Sequence, residues 1–239
     1  MSKQDKLIVA LDVPDLQSAE KLVKVLSPTV KIFKVGKELF TSCGPEVVKM
    51  VHSHRAKVFL DLKFHDIPNT VAGACSAAAR LGVFMMNVHA SGGRDMLKAA
   101  VRAIRETAPR PKMGEQTSPL LLGVTILTSM SGDDLKEIGI NDTVPNQVIR
   151  LAKLSKLCGL NGIVASGREI PMIREALGKD FIIVTPGVRP VWAAQGDQKR
   201  VVTPAEAIAR GADYIVVGRP ITESPKPKEA AQKILEELS

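Results

Sequence analysis

Lys57-Val-Phe-Leu-Asp-Leu-Lys-Phe64, running on into His65-Asp-Ile-Pro-Asn-Thr70, is the stretch on which the fold turns. Its first half is apolar and β-prone, as a strand buried in a parallel sheet must be. Its second half sets Asp61, Lys63 and Asp66 where more apolar residues are expected. Side chains alternate along a strand, so Asp61 and Lys63 share one face, and Val58, Leu60 and Leu62 share the other. The apolar face packs on helices. The charged face then points into the mouth of a barrel at the strand's C-terminal end, with Asp66 just beyond it in the loop. That is the end at which parallel barrels place their chemistry.

Outward from this stretch, short Val- and Ile-rich runs alternate with longer amphipathic ones. Strand candidates lie at 7–13, 32–39, 57–64, 83–90, 120–129, 162–166, 181–188 and 214–221. Helical patterns follow at 15–27, 45–54, 69–81, 94–107, 145–158, 168–177, 204–210 and 227–238. Eight β-then-α units predict an α/β fold, a (β/α)8 TIM barrel. The alternative is an open doubly wound sheet. Its Gly-rich first turn is missing, because the first turn here is Asp12-Val-Pro-Asp15. With no repeat or internal boundary, residues 1–239 are expected to form one catalytic barrel domain. Residues 108–118 lead into the fifth strand at the barrel bottom and read as a spacer. Residues 189–203 follow the seventh strand at the top, where a polar, Gly-containing segment suits a mobile lid.

The chain has 239 residues, 45% hydrophobic and 24% charged, enough to bury a large core without a disulfide or metal staple. Cys43, Cys75 and Cys158 are far apart and show no metal-ligand spacing, so they read as reduced thiols and no metal site is expected. The polar Met1–Lys6 segment runs straight into a strand and does not resemble a signal peptide. No apolar run approaches the roughly 18 residues of a membrane span, so the expected compartment is the cytoplasm. The formal charge of +8 suits an anionic partner or a merely basic surface. Lys and Arg are dispersed and aromatic residues make up only 3%, which leaves little for stacking on bases. A small, multiply charged anion therefore fits better than nucleic acid.

The misplaced charges recur on neighbouring strands. Asp12 ends the first, and Lys34 shares a face with Ile32 on the second. Buried charges are costly unless paired, so Asp12, Lys34, Asp61 and Lys63 must pair with one another or with a ligand. Such an alternating array keeps Lys63 protonated and Asp61 ionised. One charge at a strand end reads as a self-satisfied ion pair. Four on three successive strands, all at one end, read as a site. Val184-Thr-Pro-Gly187-Val-Arg189 and Val217-Gly218-Arg219 end strands seven and eight, whose loops bind phosphate in many barrels. Gly187 and Gly218 permit close backbone approach, and Arg189 and Arg219 offer bidentate donors. Gln198 adds a neutral donor from the lid. Thr128 and Ser129 put hydroxyls at the end of strand five, within reach of a polar ring edge, whereas Thr125 reads as an ordinary strand residue. His65 and His89 read as structural hydrogen-bonding residues, because no Ser or Cys nucleophile stands in a suggestive context. Trp192 and Gln195 are lid residues without an assigned role.

Asp-Leu-Lys-Phe-His-Asp-Ile-Pro-Asn-Thr (61–70) resembles the signature of the orotidine 5′-monophosphate decarboxylase family. So do Leu11-Asp12, Lys34-Val-Gly-Lys-Glu-Leu-Phe40, Asn87-Val-His-Ala-Ser-Gly-Gly93, Val124-Thr-Ile-Leu-Thr-Ser129, Thr185-Pro-Gly-Val-Arg189, Gly196-Asp-Gln198 and Val217-Gly-Arg-Pro-Ile221. The match runs in order nearly end to end and is most similar to the bacterial single-function form. The resemblance implies loss of CO₂ from orotidine 5′-monophosphate to give UMP, the last step of de novo UMP synthesis, with no cofactor. It implies Lys63 as proton donor to C6, Asp61 against the departing carboxylate, and Lys34 and Asp12 on the ribose. Thr128 and Ser129 are then at the pyrimidine, and Arg189, Gln198, Gly218 and Arg219 at the phosphate. It also implies a homodimer in which Asp66 and Thr70 serve the neighbouring subunit's site. One rival is a related barrel that acts on a sugar phosphate through a Mg²⁺-stabilised enediolate; those enzymes resemble a version of this site with an acidic metal ligand where Lys34 stands, and a Lys there argues against metal. Another is a non-catalytic nucleotide- or RNA-binding barrel, which has no need of Asp61 and Lys63 in the mouth.

Overall fold

The computed structural model describes residues 2–107, 118–193 and 202–238. Eight parallel strands close on themselves in sequence order, the eighth pairing back to the first. They are β1 (Leu7–Ala10), β2 (Ile32–Gly36), β3 (Lys57–Phe64), β4 (Met85–His89), β5 (Leu120–Val124), β6 (Gly162–Val164), β7 (Ile182–Thr185) and β8 (Tyr214–Val217). Closure leaves no strand edge unpaired.

The helices are α1 (Lys3–Lys6), α2 (Leu16–Leu26), α3 (Lys37–Cys43), α4 (Glu46–Ser53), α5 (Pro68–Arg80), α6 (Gly93–Thr107), α7 (Gly132–Glu137) and α8 (Val144–Leu157). They continue with α9 (Ile170–Leu177), α10 (Pro204–Ala209), α11 (Arg219–Thr222) and α12 (Pro227–Glu237). Two-residue alternation divides the apolar side chains between two cores. Ile8, Ile32, Phe59, Met85, Leu122 and Val184 fill the barrel interior. Val9, Phe33, Val58, Leu60, Met86 and Ile183 face the helices in a larger outer cluster. Each strand is thus apolar on both faces until its C-terminal end. No helix among the described residues is long and apolar enough to cross a membrane. The three cysteines are unpaired, and burial pushes the Cys75 thiol up to about 12.

The strands begin where the sequence places them, to within two residues, and all but the third, which ends at Phe64 as expected, end sooner. Residues 37–39 belong to α3 rather than to the second strand. Gly36 caps this helix, and Leu39 is buried on it. Gly44, in the left-handed region at φ 61°, and Pro45 then separate α3 from α4, so the pattern at 45–54 is the second of two helices. The apolar run at 120–129 leaves the barrel after Val124, and α7 follows it unforeseen. That helix starts at a reciprocal cap in which Ser131 N donates to Asp134 Oδ2 at 2.6 Å. The spacer expected at 108–118 lies outside the described residues except for Ser118. The lid expected at 189–203 is described only at 189–193 and 202–203.

Candidate active site

Strand register sets the site. Lys34 lies opposite Ala10 of β1, and Asp61 lies opposite Gly36 of β2. Asp12 follows Ala10 by two residues, so all three inward-facing side chains converge at the top of the barrel. Lys34 Nζ is 2.8 Å from Asp12 Oδ1 and 3.6 Å from Asp61 Oδ2. Lys63 Nζ donates to Asp61 Oδ1 at 2.6 Å. The four charges form one alternating chain, Asp12–Lys34–Asp61–Lys63, as the sequence leads one to expect. Its middle is sheltered: the Lys34 and Asp61 side chains are 12% exposed, against 56% for Asp12. Gly36 makes room for it, since a Cβ there would lie 3.0 Å from Lys34 Nζ.

Simple alternation carries β3 only as far as Asp61. Lys63 adopts φ 51°, the left-handed region that L side chains rarely enter. The pairing with β4 slips at the same place: Leu60 faces Met86, but Phe64 faces Val88, so four steps on β3 match two on β4. The side chain of Asn87 fills the slip. Its Oδ1 accepts from Lys63 N at 2.8 Å, and its Nδ2 donates to Asp61 Oδ1 at 2.7 Å. Asn87 is 1% exposed. The sequence reading assigns it no role, although an inward-facing amide in Met85-Met-Asn-Val-His89 is a detectable anomaly.

Burial by itself would push the Asp61 carboxyl up. The Lys34 and Lys63 ammoniums, with the hydrogen bonds from Lys63 and Asn87, outweigh it and hold Asp61 below the ordinary carboxylate value. Burial chiefly, then the His65, Lys63 and Lys37 charges, bring His89 down to about 4 against the pull of Asp61. His89 is therefore neutral near pH 7 and adds no further positive charge beside Lys63. Its ring centroid is 5.5 Å from that of His65.

A cavity of about 140 Å³ joins the charge chain to the loops after β7 and β8. Asp12, Lys34, Gly187, Arg189, Gly218 and Arg219 all line it. Arg189 is 9% exposed, and its backbone N–H bonds Val202 O at 3.0 Å. Asp66 and Thr70 do not line this cavity; both are exposed, Asp66 accepting from Ile67 N at 2.6 Å and Thr70 sitting in the first turn of α5. Thr128 and Ser129 lie in the loop after β5 and are also outside the cavity lining. Thr125 is buried and donates to Val164 O at 3.1 Å, an ordinary strand role. Gln198 lies outside the described residues. Among the described residues, no group of three or more His, Cys, Asp or Glu is placed to hold a metal ion.

Known proteins resemble this chain over nearly its whole length. A family model described as "Orotidine 5'-phosphate decarboxylase / HUMPS family" matches residues 5–234. An orotidine 5′-phosphate decarboxylase from Syntrophotalea carbinolica is 57% identical over 98% of this chain and 95% of its own length. One from Moorella thermoacetica is 55% identical over 100% of this chain and 94% of its own. Among solved structures, orotidine 5′-phosphate decarboxylase from Lactobacillus acidophilus superposes with a TM-score of 0.85 at 38% identity, covering 98% of this chain and 99% of that one.

Proposed function

This chain belongs to the orotidine 5′-phosphate decarboxylase / HUMPS family, and from that premise we propose that it removes the C6 carboxylate of orotidine 5′-monophosphate as CO₂, leaving UMP. The observation that carries the proposal is the Asp12–Lys34–Asp61–Lys63 chain, whose first two members line the cavity that also holds Arg189 and Arg219.

The chemistry follows from the charges. Heterolysis of the bond between C6 and its carboxylate leaves an electron pair on an sp² carbon with no adjacent electron sink. A fixed ammonium beside that carbon stabilises the charge as it develops, more in the transition state than in the ground state. Lys63 Nζ supplies that ammonium and delivers its proton to C6 as CO₂ departs; the lysine regains a proton from solvent. Asp61 lies against the departing carboxylate and pairs with Lys63 Nζ. No cofactor enters the scheme. Lys34 and Asp12 hold the ribose hydroxyls, and Thr128 and Ser129 meet the pyrimidine edge. Arg189, Gly218, Arg219 and Gln198 take the phosphate, remote binding that orients C6 over Lys63. Mg²⁺-dependent sugar-phosphate chemistry needs carboxylates free for the metal, whereas Lys34 here engages both Asp12 and Asp61.

The working unit is a homodimer in the cytoplasm, with Asp66 and Thr70 of each subunit completing the other's site. The exposure of residues 65–70, with Ile67 at 67%, supports a partner covering this segment. The test is the absorbance change of orotidine 5′-monophosphate with purified protein in EDTA, wild type beside Lys63→Ala. Turnover by the wild type alone is expected. An inactive wild type, or a fully active variant, overturns the proposal.

A further inference from the structure

We infer that Asn87 is a positioning residue: its side chain locks the left-handed kink at Lys63 and turns Asp61 Oδ1 toward the Lys63 ammonium. The kinetic consequence rests on the decarboxylation proposed above.

The kink leaves a backbone donor that the β3–β4 ladder no longer serves. Leu60 and Phe64 keep ladder partners on β4, while the Lys63 N–H between them has Asn87 Oδ1 at 2.8 Å. The same side chain donates to Asp61 Oδ1 at 2.7 Å, the atom that also receives Lys63 Nζ at 2.6 Å. Asp61 Oδ2 is thereby left to Lys34 at 3.6 Å. One buried amide thus fixes the backbone of the lysine and the rotamer of its counter-ion together. Only one orientation of the amide serves both, because the flipped amide would set its carbonyl against a carboxylate and its NH₂ against an N–H. No other side chain of this size offers both functions: Asp lacks the donor, Leu lacks both, and Ser is too short. A non-glycine residue held at positive φ beside a reacting centre persists only where its surroundings enforce it.

Position 87 has a defined set of neighbours. Asp61 and Lys63 face it from β3, with Lys34 of β2 beyond Asp61. His89 lies two residues along β4, and β5 presents Leu122 opposite. In Asn87→Asp the new carboxylate keeps the acceptor for Lys63 N–H and faces Asp61 without a donor. Two carboxylates so close take up a shared proton more readily than either alone. That proton recreates the donor.

The experiment measures kcat and KM for orotidine 5′-monophosphate with wild type, Asn87→Ala and Asn87→Asp between about pH 6 and pH 8. Asn87→Ala is expected to lose on the order of 10²-fold in kcat with KM within a few-fold, the cost of a reacting group misplaced by about an ångström. Asn87→Asp is expected to show a deficit that shrinks as pH falls. Wild-type kcat in Asn87→Ala overturns the inference. So does an Asn87→Asp deficit independent of pH, which decides the matter if Asn87→Ala does not fold. A second readout needs no turnover. Hydrogen exchange at the Lys63 amide should quicken in the variants more than at Leu60 and Phe64. Unchanged protection overturns the inference whatever the activity, whereas an inactive wild type with the exchange difference intact overturns the decarboxylation alone.

Discussion

Asp61→Asn isolates the electrostatics of the charge chain, because it keeps shape and removes one negative charge. Asp61 stands 2.6 Å from one ammonium and 3.6 Å from another. At an effective dielectric constant of about 20, those separations correspond to gross attractions of about 6 and about 5 kcal/mol, most of which desolvation offsets. What the variant exposes is the charge left behind. Lys34 retains Asp12 at 2.8 Å, while Lys63, with a side chain 24% exposed, loses the carboxylate it pairs with. Stripping one partner from a buried pair costs 3–5 kcal/mol, and with Lys34 still compensated the expected loss is about 3 kcal/mol. For a chain of this size that lowers the melting temperature by about 6–12 °C.

The pH dependence has a definite sign. Asp61 has a folded-state value held below 3.8, so its contribution is complete above about pH 4 and disappears as pH falls through the folded value. Urea unfolding followed by circular dichroism should therefore give the same gap between wild type and variant at about pH 7 and about pH 5, narrowing only below about pH 4. A variant as stable as wild type at neutral pH, or a gap already closing between those two values, refutes the reasoning.

Gly123→Ala would bring a Cβ to 2.3 Å from Ser155 Oγ, which is buried and bonded to Leu151 O at 2.9 Å. The expected loss is about 1–3 kcal/mol, seen as a lower urea midpoint at constant slope. Arg219→Ala at the exposed start of α11 should raise KM for the nucleotide about ten- to a hundredfold, the cost of one charge-assisted bond, with a smaller change in kcat in steady-state assays. On the proposed shared-site dimer, Asp66→Asn and Lys63→Ala, each inactive alone, should recover about a quarter of wild-type activity when refolded together, since half the dimers would then carry one intact site. Failure of the mixture to regain activity counts against sites shared across a two-fold.

The start of each strand was legible because burial on both faces begins abruptly at Leu7, Ile32 and Tyr214. Most of the ends were not, because apolar character outlasts the hydrogen-bond ladder: Ile126 and Val188 remain 7% and 2% exposed after their strands have stopped. Leu39 misleads for a related reason, being buried on a helix rather than on a strand. In the site, Lys34, Asp61 and Lys63 declared themselves through the solvation cost that a charge sheltered at a strand end incurs, and Asp12, itself more exposed, through its place at the end of the first strand. Asn87 carries no charge and raised no such alarm. Its importance depends on a backbone turn at Lys63 that strand periodicity does not encode.

The slip between β3 and β4 makes segment length, as much as composition, a constraint on this protein. Seven of the barrel's seams run in regular step; the eighth absorbs two extra residues between Leu60 and Phe64. A one-residue deletion inside Asp61–Lys63 would do more than shorten a loop. It would swap inner and outer faces for whatever follows, turning Phe64 away from the helices and leaving the amide of Asn87 with nothing to span. Point substitutions can explore this corner of the barrel, but insertions and deletions cannot. To be transplanted into another barrel with its register intact, the run from Leu60 to Phe64 would have to move together with its facing strand, as a single block.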